Sequence, residues 1–543
     1  MSHSVSQIPF DLRHEKWIGA IANDGAPVEL GLRDILLQAH QLRAISDPMP
    51  TVECGVLRLL VALVLDIFAP RDTGELAELL DSEKFDSEKI DSYFELHAER
   101  FDLFHSQWPF LQTPMESETK KPLAGLLSLI PSGTNALHFH HADENDLAVS
   151  PAAAARLLTT IAPFMTAGGA GLPPSINGAP PFYVLLQGDT VFETILLNCP
   201  ADQSLLPQAK RAGDLPLWRR EEPVTAKDQR EAGVLQSLTW AARRIQLLPG
   251  QGGHCALTGM ESPVLVRAMK FAPGWSSRFE GWTDPHVPYR VSAEKVTVLR
   301  PQEERPLWRD AGPLGLLRQA DYQAPAGQKF RFDRPAIVSQ FAEMIRRDEL
   351  PPEQDLRLNI YAMRTDLKMK VFEWHRAVLR LPLPLVLNGD FASYAQSEMD
   401  KADLVAYHIG RAIKRVYPRE GAGNKAAFDD LIARAQRIFW DALEPLYLGA
   451  KDSLLEDLAQ LKDAPESQRE ERIKTWRKSV EHAGKDALNA AIEDLDADAD
   501  ALERQVGARN LFAFHVRNVL DPEAAEKKKT TAKSKAAKGV THV

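Results

Sequence analysis

The chain has 543 residues, 44% of them hydrophobic, and a formal net charge of −10. That length allows two to four domains with sizeable cores, and no apolar run of about eighteen residues occurs, which excludes a membrane-spanning helix. The cysteines Cys54, Cys199 and Cys255 stand too far apart for a disulfide framework or a local zinc ribbon, and they fit a reducing, cytoplasmic setting.

The start, MSHSVSQIPFDLRHEKW, lacks a basic region followed by an apolar core, so no secretory signal is expected. SVSQIPFDLRHEKWI and APVELGLRDILLQAH predict an extended start, a turn, then a helix. DPMPTVECGVLRLLVALVLDIFAP predicts a helix between prolines; its apolar run at 57–68 carries Arg58 and Asp66 and reads as buried. PFYVLL (181–186), VFETILL (191–197) and KVTVLR (295–300) have the β-branched and aromatic content of strands. From about residue 385, Gly and Pro thin out and apolar residues recur three and four apart. Helices are expected over 391–416, 425–461, 466–490 and 492–519, with short polar breaks such as PREGAGN and KDAPES.

The fold class read from this pattern is α+β: a large mixed α/β domain over 1–385, then a four-helix bundle over 386–520. The tail 521–543, with six lysines and no aromatic, is expected to be disordered.

Charge argues against nucleic acid for the chain as a whole, but it is uneven. Residues 1–150 hold 11 Lys and Arg against 24 Asp and Glu, whereas 205–300 hold 14 against 9. The second count is either a local basic surface or an ordinary solvated one. Catalytic motifs are not visible: Pro174 stands where GxGxxG needs a glycine, and no P-loop, GxSxG or HExxH occurs. The stretch HFHHADEND (138–146) sets three histidines beside Asp143, Glu144 and Asp146. It is a candidate metal loop, which leaves a metal-dependent nucleic-acid-processing enzyme as the alternative function, or else an exposed polar loop. No cofactor is otherwise implied.

The stretch TAGGAGLPPSINGAPP (166–181) is half Gly and Pro. Glycine lets backbone approach a ligand closely, and proline lowers the entropy lost on ordering. A stiff ridge without side chains suits the DNA minor groove, about 6 Å wide; a plain linker is the other reading.

FDLFHSQWPFLQT (101–113), SGTNALHFHH (132–141), the glycine loop, GDTVFETILLN (188–198) and YAMRTDLKMKVFEWHRAVLRLPLP (361–384) follow one another in this order. Taken with the helical C-terminal part, the set resembles the CasA family, large subunits of the type I-E CRISPR surveillance complex Cascade. The resemblance implies a non-catalytic cytoplasmic subunit for antiviral defence, in which guide-RNA pairing reads the target. The subunit reads a short flanking motif, the PAM, in double-stranded DNA and starts strand separation. The implied partners are guide RNA, target DNA, the backbone, small and 5′-end cap subunits of the complex, and a helicase-nuclease; none is a membrane.

Residue by residue, the resemblance places Gly168, Gly169 and Gly171 in the minor-groove loop. Lys270 is the matching lysine finger, with Arg267 a near alternative, although the segment before it, GGHCALTGMESP, has one cysteine where the family often carries a cysteine-rich knuckle. Met363, Arg364 and Thr365 match a duplex-opening wedge, Met363 as its apolar part, and Asp366 a turn or cap residue. Asn135 and Phe139 match a loop at the guide RNA and PAM. Trp108 and Phe110 read as core, and Lys401, Arg411, Lys414 and Arg415 either meet phosphates or form a solvated helix face.

Overall fold

A computed structural model describes residues 9–116, 119–126, 147–167, 171–202, 213–279, 282–318, 320–323, 329–352, 355–365, 371–416, 425–449, 451–493 and 499–521. It is a mixed helix-and-sheet fold, as the sequence pattern implies. The chain divides into two units: Met1–Glu303 with Arg331–Arg380, and Glu304–Phe330 with Leu381–Val543.

The first unit is organised around the helix Pro50–Phe68, buried on every side from Thr51 to Val64. A helix apolar all round is stable only inside a large core, and its charged residues survive there because each has a partner. Arg58 makes two hydrogen bonds to Asp284, at 2.8 and 3.0 Å, and Asp66 accepts from Arg219 at 2.7 Å. Glu53 accepts from the Tyr361 hydroxyl at 2.8 Å and stands 3.3 Å from Arg376.

Two sheets of this unit carry candidate site residues. In one, the strand Asp355–Thr365 lies between Tyr183–Leu186 and the edge strand Val371–Pro382. In the other, Glu261–Pro273 lies between Arg243–His254 and the short strand Lys120–Pro122. KVTVLR forms the strand Val296–Val298, paired with Tyr289–Val291. The first sequence segments form the strands Ile18–Ala22 and Pro27–Leu30 and the helix Leu32–Leu37.

VFETILL corrects the strand reading: it is the helix Val191–Leu197. The Thr190 hydroxyl caps it by accepting from the Glu193 N–H at 3.2 Å, while the Glu193 carboxylate takes the N–H of Asp189 at 2.6 Å. This close relative of the capping box outweighs the β-branched composition. Asn198 then ends the helix and bonds both backbone groups of Leu186, at 2.9 and 2.7 Å, as a neighbouring strand would.

The second unit contains the long helices Gly389–Val416, Lys425–Leu448, Glu466–Ile492 and Ala499–Leu520. The expected helix over 425–461 is two: it stops at Leu448, and a separate helix, Leu454–Gln460, is capped by Ser453. Gly449 intervenes, and Pro445 has already removed one ladder hydrogen bond. Among the described residues no helix is long and apolar enough to cross a membrane.

Candidate nucleic-acid interface

The first half of the glycine-rich stretch, from Thr166 to Pro173, is closed by a single buried cation. Arg243, 3% exposed, begins the strand Arg243–His254. Its Nη2 donates to the Thr166 carbonyl at 2.7 Å, and its Nη1 donates to the carbonyls of Pro173 and, at 2.9 Å, Ala242. Burial lowers its pKa to about 10. The guanidinium therefore spans the neck of the loop.

The second half of the stretch is fastened separately. Ser175 and Gly178 form a tight turn, with the Gly178 N–H on the Ser175 carbonyl at 2.9 Å and the Ser175 hydroxyl on the Gly178 carbonyl at 3.1 Å. Gly178 has φ +79°, a conformation that favours glycine. The Asn177 amide donates to Asp284 at 3.0 Å. Burial pushes that carboxyl up, but the paired Arg58 more than offsets it and holds the pKa below its usual value. His286 beside them is held neutral, its pKa lowered to about 4 by burial and by Arg58. Gly171 also has φ +79°, and a Cβ built there would meet nothing within 4 Å among the described residues. Gly168 and Gly169 lie outside the described residues.

The clamp strand pairs antiparallel with Glu261–Pro273, with Arg243 opposite Pro273 and Gln246 opposite Lys270. At about 3.3 Å per residue, Lys270 stands roughly 10 Å along the sheet from the loop's neck. On its other side Lys270 pairs with Lys120. The Lys270 ammonium donates to the Met115 carbonyl, and Gln246 accepts from the Met115 N–H at 3.0 Å. Lys270 is thus a brace for the segment that follows PFLQT.

Arg267 is placed differently. Leu248 pairs with Ala268 and Pro249 with Val266, so Arg267 is the extra residue of a β-bulge, and it is exposed. Bulges re-aim side chains. Pro122 and Val149 pair on either side of it, with Ala268 and Val266. The chain from 123 to 148 therefore leaves and returns at Arg267. Within it Asn135, Phe139 and the candidate metal stretch 138–146 lie outside the described residues. None of Lys120, Lys121, Arg267 and Lys270 is ion-paired among the described residues.

The sheet centred on Asp355–Thr365 carries the wedge candidates. Tyr361 pairs with Tyr183, which follows the glycine-rich stretch directly. The strand then runs four residues past that pair to Thr365, roughly 13 Å at the usual strand rise. The hairpin's turn and the glycine-rich stretch thus leave from the same end of one sheet. Asp366 and the rest of the turn lie outside the described residues.

Met363 corrects the expectation of an apolar wedge: it is 1% exposed and part of the core. Arg364 is held by Glu373 and lies 3.5 Å from Glu303, with its guanidinium 4.9 Å from the centre of the Phe372 ring. Thr365 is half-buried at the strand end. Among the described residues, the large exposed hydrophobic residue of the hairpin near its turn is Phe372, which sequence reasoning missed.

Phe110 is core, as expected, and Gln112 ties PFLQT to the clamp strand through Leu247 at 2.7 Å. Trp108 corrects the core reading: it is half-buried, with the Arg100 guanidinium 3.9 Å over its ring. In the second unit Arg411, Lys414 and Arg415 are exposed, while Lys401 is drawn to the buried Glu398. No group of three or more metal-ligating side chains is found among the described residues.

Fold and interface together describe a large α+β protein that presents a stripped loop, a hairpin and several cations from paired strands. The profile of the family described as CRISPR-associated protein Cse1 matches residues 11–487, and the chain belongs to that family. A Thermus thermophilus relative described as CRISPR-associated protein CasA/Cse1 is 28% identical over 467 residues, covering 80% of this chain and 85% of that protein.

Solved structures share the fold. Cse1 from Acidimicrobium ferrooxidans matches with a TM-score of 0.71 at 22% identity, over 95% of this chain and 99% of that one. Cse1 from Thermobifida fusca matches with a TM-score of 0.70 at 21% identity, over 94% and 98%. A chain from a structure titled CRISPR RNA-guided surveillance complex matches with a TM-score of 0.68 at 20% identity, over 93% and 99%.

Proposed function

We propose that this protein is the non-catalytic large subunit of an RNA-guided CRISPR surveillance complex of type I-E. It reads the PAM in double-stranded DNA through the minor groove, begins strand separation and offers a docking surface to the helicase-nuclease. Its partners are guide RNA, the backbone, small and 5′-end cap subunits, and target DNA, in the cytoplasm. Family membership and the surveillance-complex relative support the setting.

The observation that carries the DNA-reading role is the anchoring of the glycine-rich stretch. One buried cation closes its neck, and the stretch leaves from the same sheet end as the hairpin turn. In a groove about 6 Å wide, backbone N–H groups donate to the acceptors shared by A·T and T·A pairs, which gives tolerant reading. Arg267, exposed at the bulge, is the better finger, because Lys270 is spent on Met115. Binding by an acidic chain leans on its partners, so isolated affinity is weak and steeply salt-dependent.

The test is co-purification with the neighbouring subunits and guide RNA, followed by selection from a duplex library randomised beside the target. Enrichment of a short flanking motif, lost with Gly169→Asp, is the expected result. Equal retention of all flanks, or a Gly169→Asp complex that selects normally, overturns the reading.

A further inference from the structure

We infer that Phe372 is a stacking residue that receives a nucleobase where the duplex opens, with Arg364 as its fixed cationic backing. This inference rests on the duplex-opening role proposed above. Phe372 is 57% exposed, on the edge strand of the hairpin and one residue past its start after the turn. Its strand starts at the end of the sheet from which the glycine-rich stretch also leaves. Met363, on the opposite strand, is committed to the core, so among the described residues the free apolar surface near the turn belongs to Phe372.

The ring is not simply left in water. The Arg364 guanidinium stands 4.9 Å from its centroid and is itself held by Glu373 and by Glu303 at 3.5 Å. Two carboxylates and a ring fix a side chain that would otherwise be mobile. The result is a preformed aromatic-cation pair with more than half of the aromatic residue accessible. Aromatic rings backed by Arg bind bases without sequence preference, because every base has a π-face. That suits a residue acting on whatever base pair adjoins the PAM. An inserted side chain must offset the loss of stacking between the base pairs it separates, and an aromatic face replaces that stacking most directly.

The test uses the assembled complex with guide RNA and a target duplex carrying 2-aminopurine at the first pair beside the flanking motif. The fluorescence rise reports unstacking. Phe372→Ala is expected to assemble and keep its flank selection but to open the duplex about tenfold more slowly, and Phe372→Trp to restore the rate. A Phe372→Ala complex that opens at the wild-type rate overturns the stacking role and leaves flank reading intact. A Phe372→Ala chain that no longer joins the complex overturns it also, by making the residue a protein contact. Failure of the wild-type complex to open any duplex removes the proposed function itself.

Discussion

Arg243 places its Nη2 2.7 Å from the carbonyl oxygen of Thr166, so a buried guanidinium with no carboxylate partner among the described residues holds the neck of the glycine-rich stretch. Taking such a cation out of water is expensive. It is sustained by three backbone carbonyls, of Thr166, Pro173 and Ala242, and by the Phe271 ring 5.7 Å away. The arrangement ties Thr166 to Pro173 at a cost in desolvation.

Arg243→Gln keeps a donor but cannot span both ends. The expected outcome is faster amide hydrogen exchange over 166–173, about tenfold weaker duplex binding by the assembled complex, and a stability loss on the order of 1–3 kcal/mol. Hydrogen-exchange mass spectrometry and thermal unfolding check it. Unchanged exchange in that segment would show that the carbonyls find other donors.

Arg267 and Lys270 separate cleanly by salt dependence. Arg267→Glu should weaken duplex binding and lower the slope of log affinity against log salt by about 1, since one phosphate contact is lost. Lys270→Met should leave that slope unchanged and lower the melting temperature, because its ammonium braces the Met115 carbonyl. If the two variants exchange these behaviours, Lys270 is the finger.

Met363 and Phe372 are hydrophobic residues on opposite strands of one hairpin with opposite fates. Met363→Ala removes a fully buried side chain and should cost about 2–5 kcal/mol. Phe372→Ala, at an exposed position, should stay within about 0.5 kcal/mol. Chemical denaturation of the isolated chain measures both, and a large loss from Phe372→Ala would mean that the ring is structural.

Glu53 makes stability depend on pH in a defined direction. Burial raises its carboxyl pKa from 4.5 to about 7, against the opposing pull of Arg376 and the Tyr361 hydroxyl. A raised folded-state value means that the native protein holds the proton more tightly than the unfolded chain. The stabilisation is therefore complete below about pH 4.5, declines as pH rises, and is gone above about pH 7. Glu53→Gln, which still accepts from Tyr361, should gain on the wild type between pH 5 and pH 8 by on the order of 2 kcal/mol. Melting curves across that interval decide the sign. Asp400, its carboxyl also raised to about 7 by burial, adds the same trend within the second unit.

Much of this architecture was legible before any coordinates. The helix Pro50–Phe68 announces itself by an apolar run between prolines, and the long C-terminal helices by spacing of three and four. The glycine-rich stretch is conspicuous by composition alone. Two misreadings have local causes that were present in the sequence. The T-x-x-E signal of Thr190 and Glu193 starts a helix that β-branched content disguised, and Pro445 with Gly449 marks the break in the expected helix over 425–461.

The sequence by itself determined the buried helix Pro50–Phe68, the helical character of the C-terminal part, where the bare loop lies, and which family the chain resembles. Those properties follow from periodicity, turn chemistry and ordered motifs along the chain. Tertiary structure alone decided that Arg243 closes the loop, that Arg267 rather than Lys270 is the exposed cation, and that Met363 is buried while Phe372 faces solvent. Each of those outcomes depends on strand register and on which face of a sheet meets the core. Register is set by partners distant in sequence, and a shift of one residue turns every side chain over.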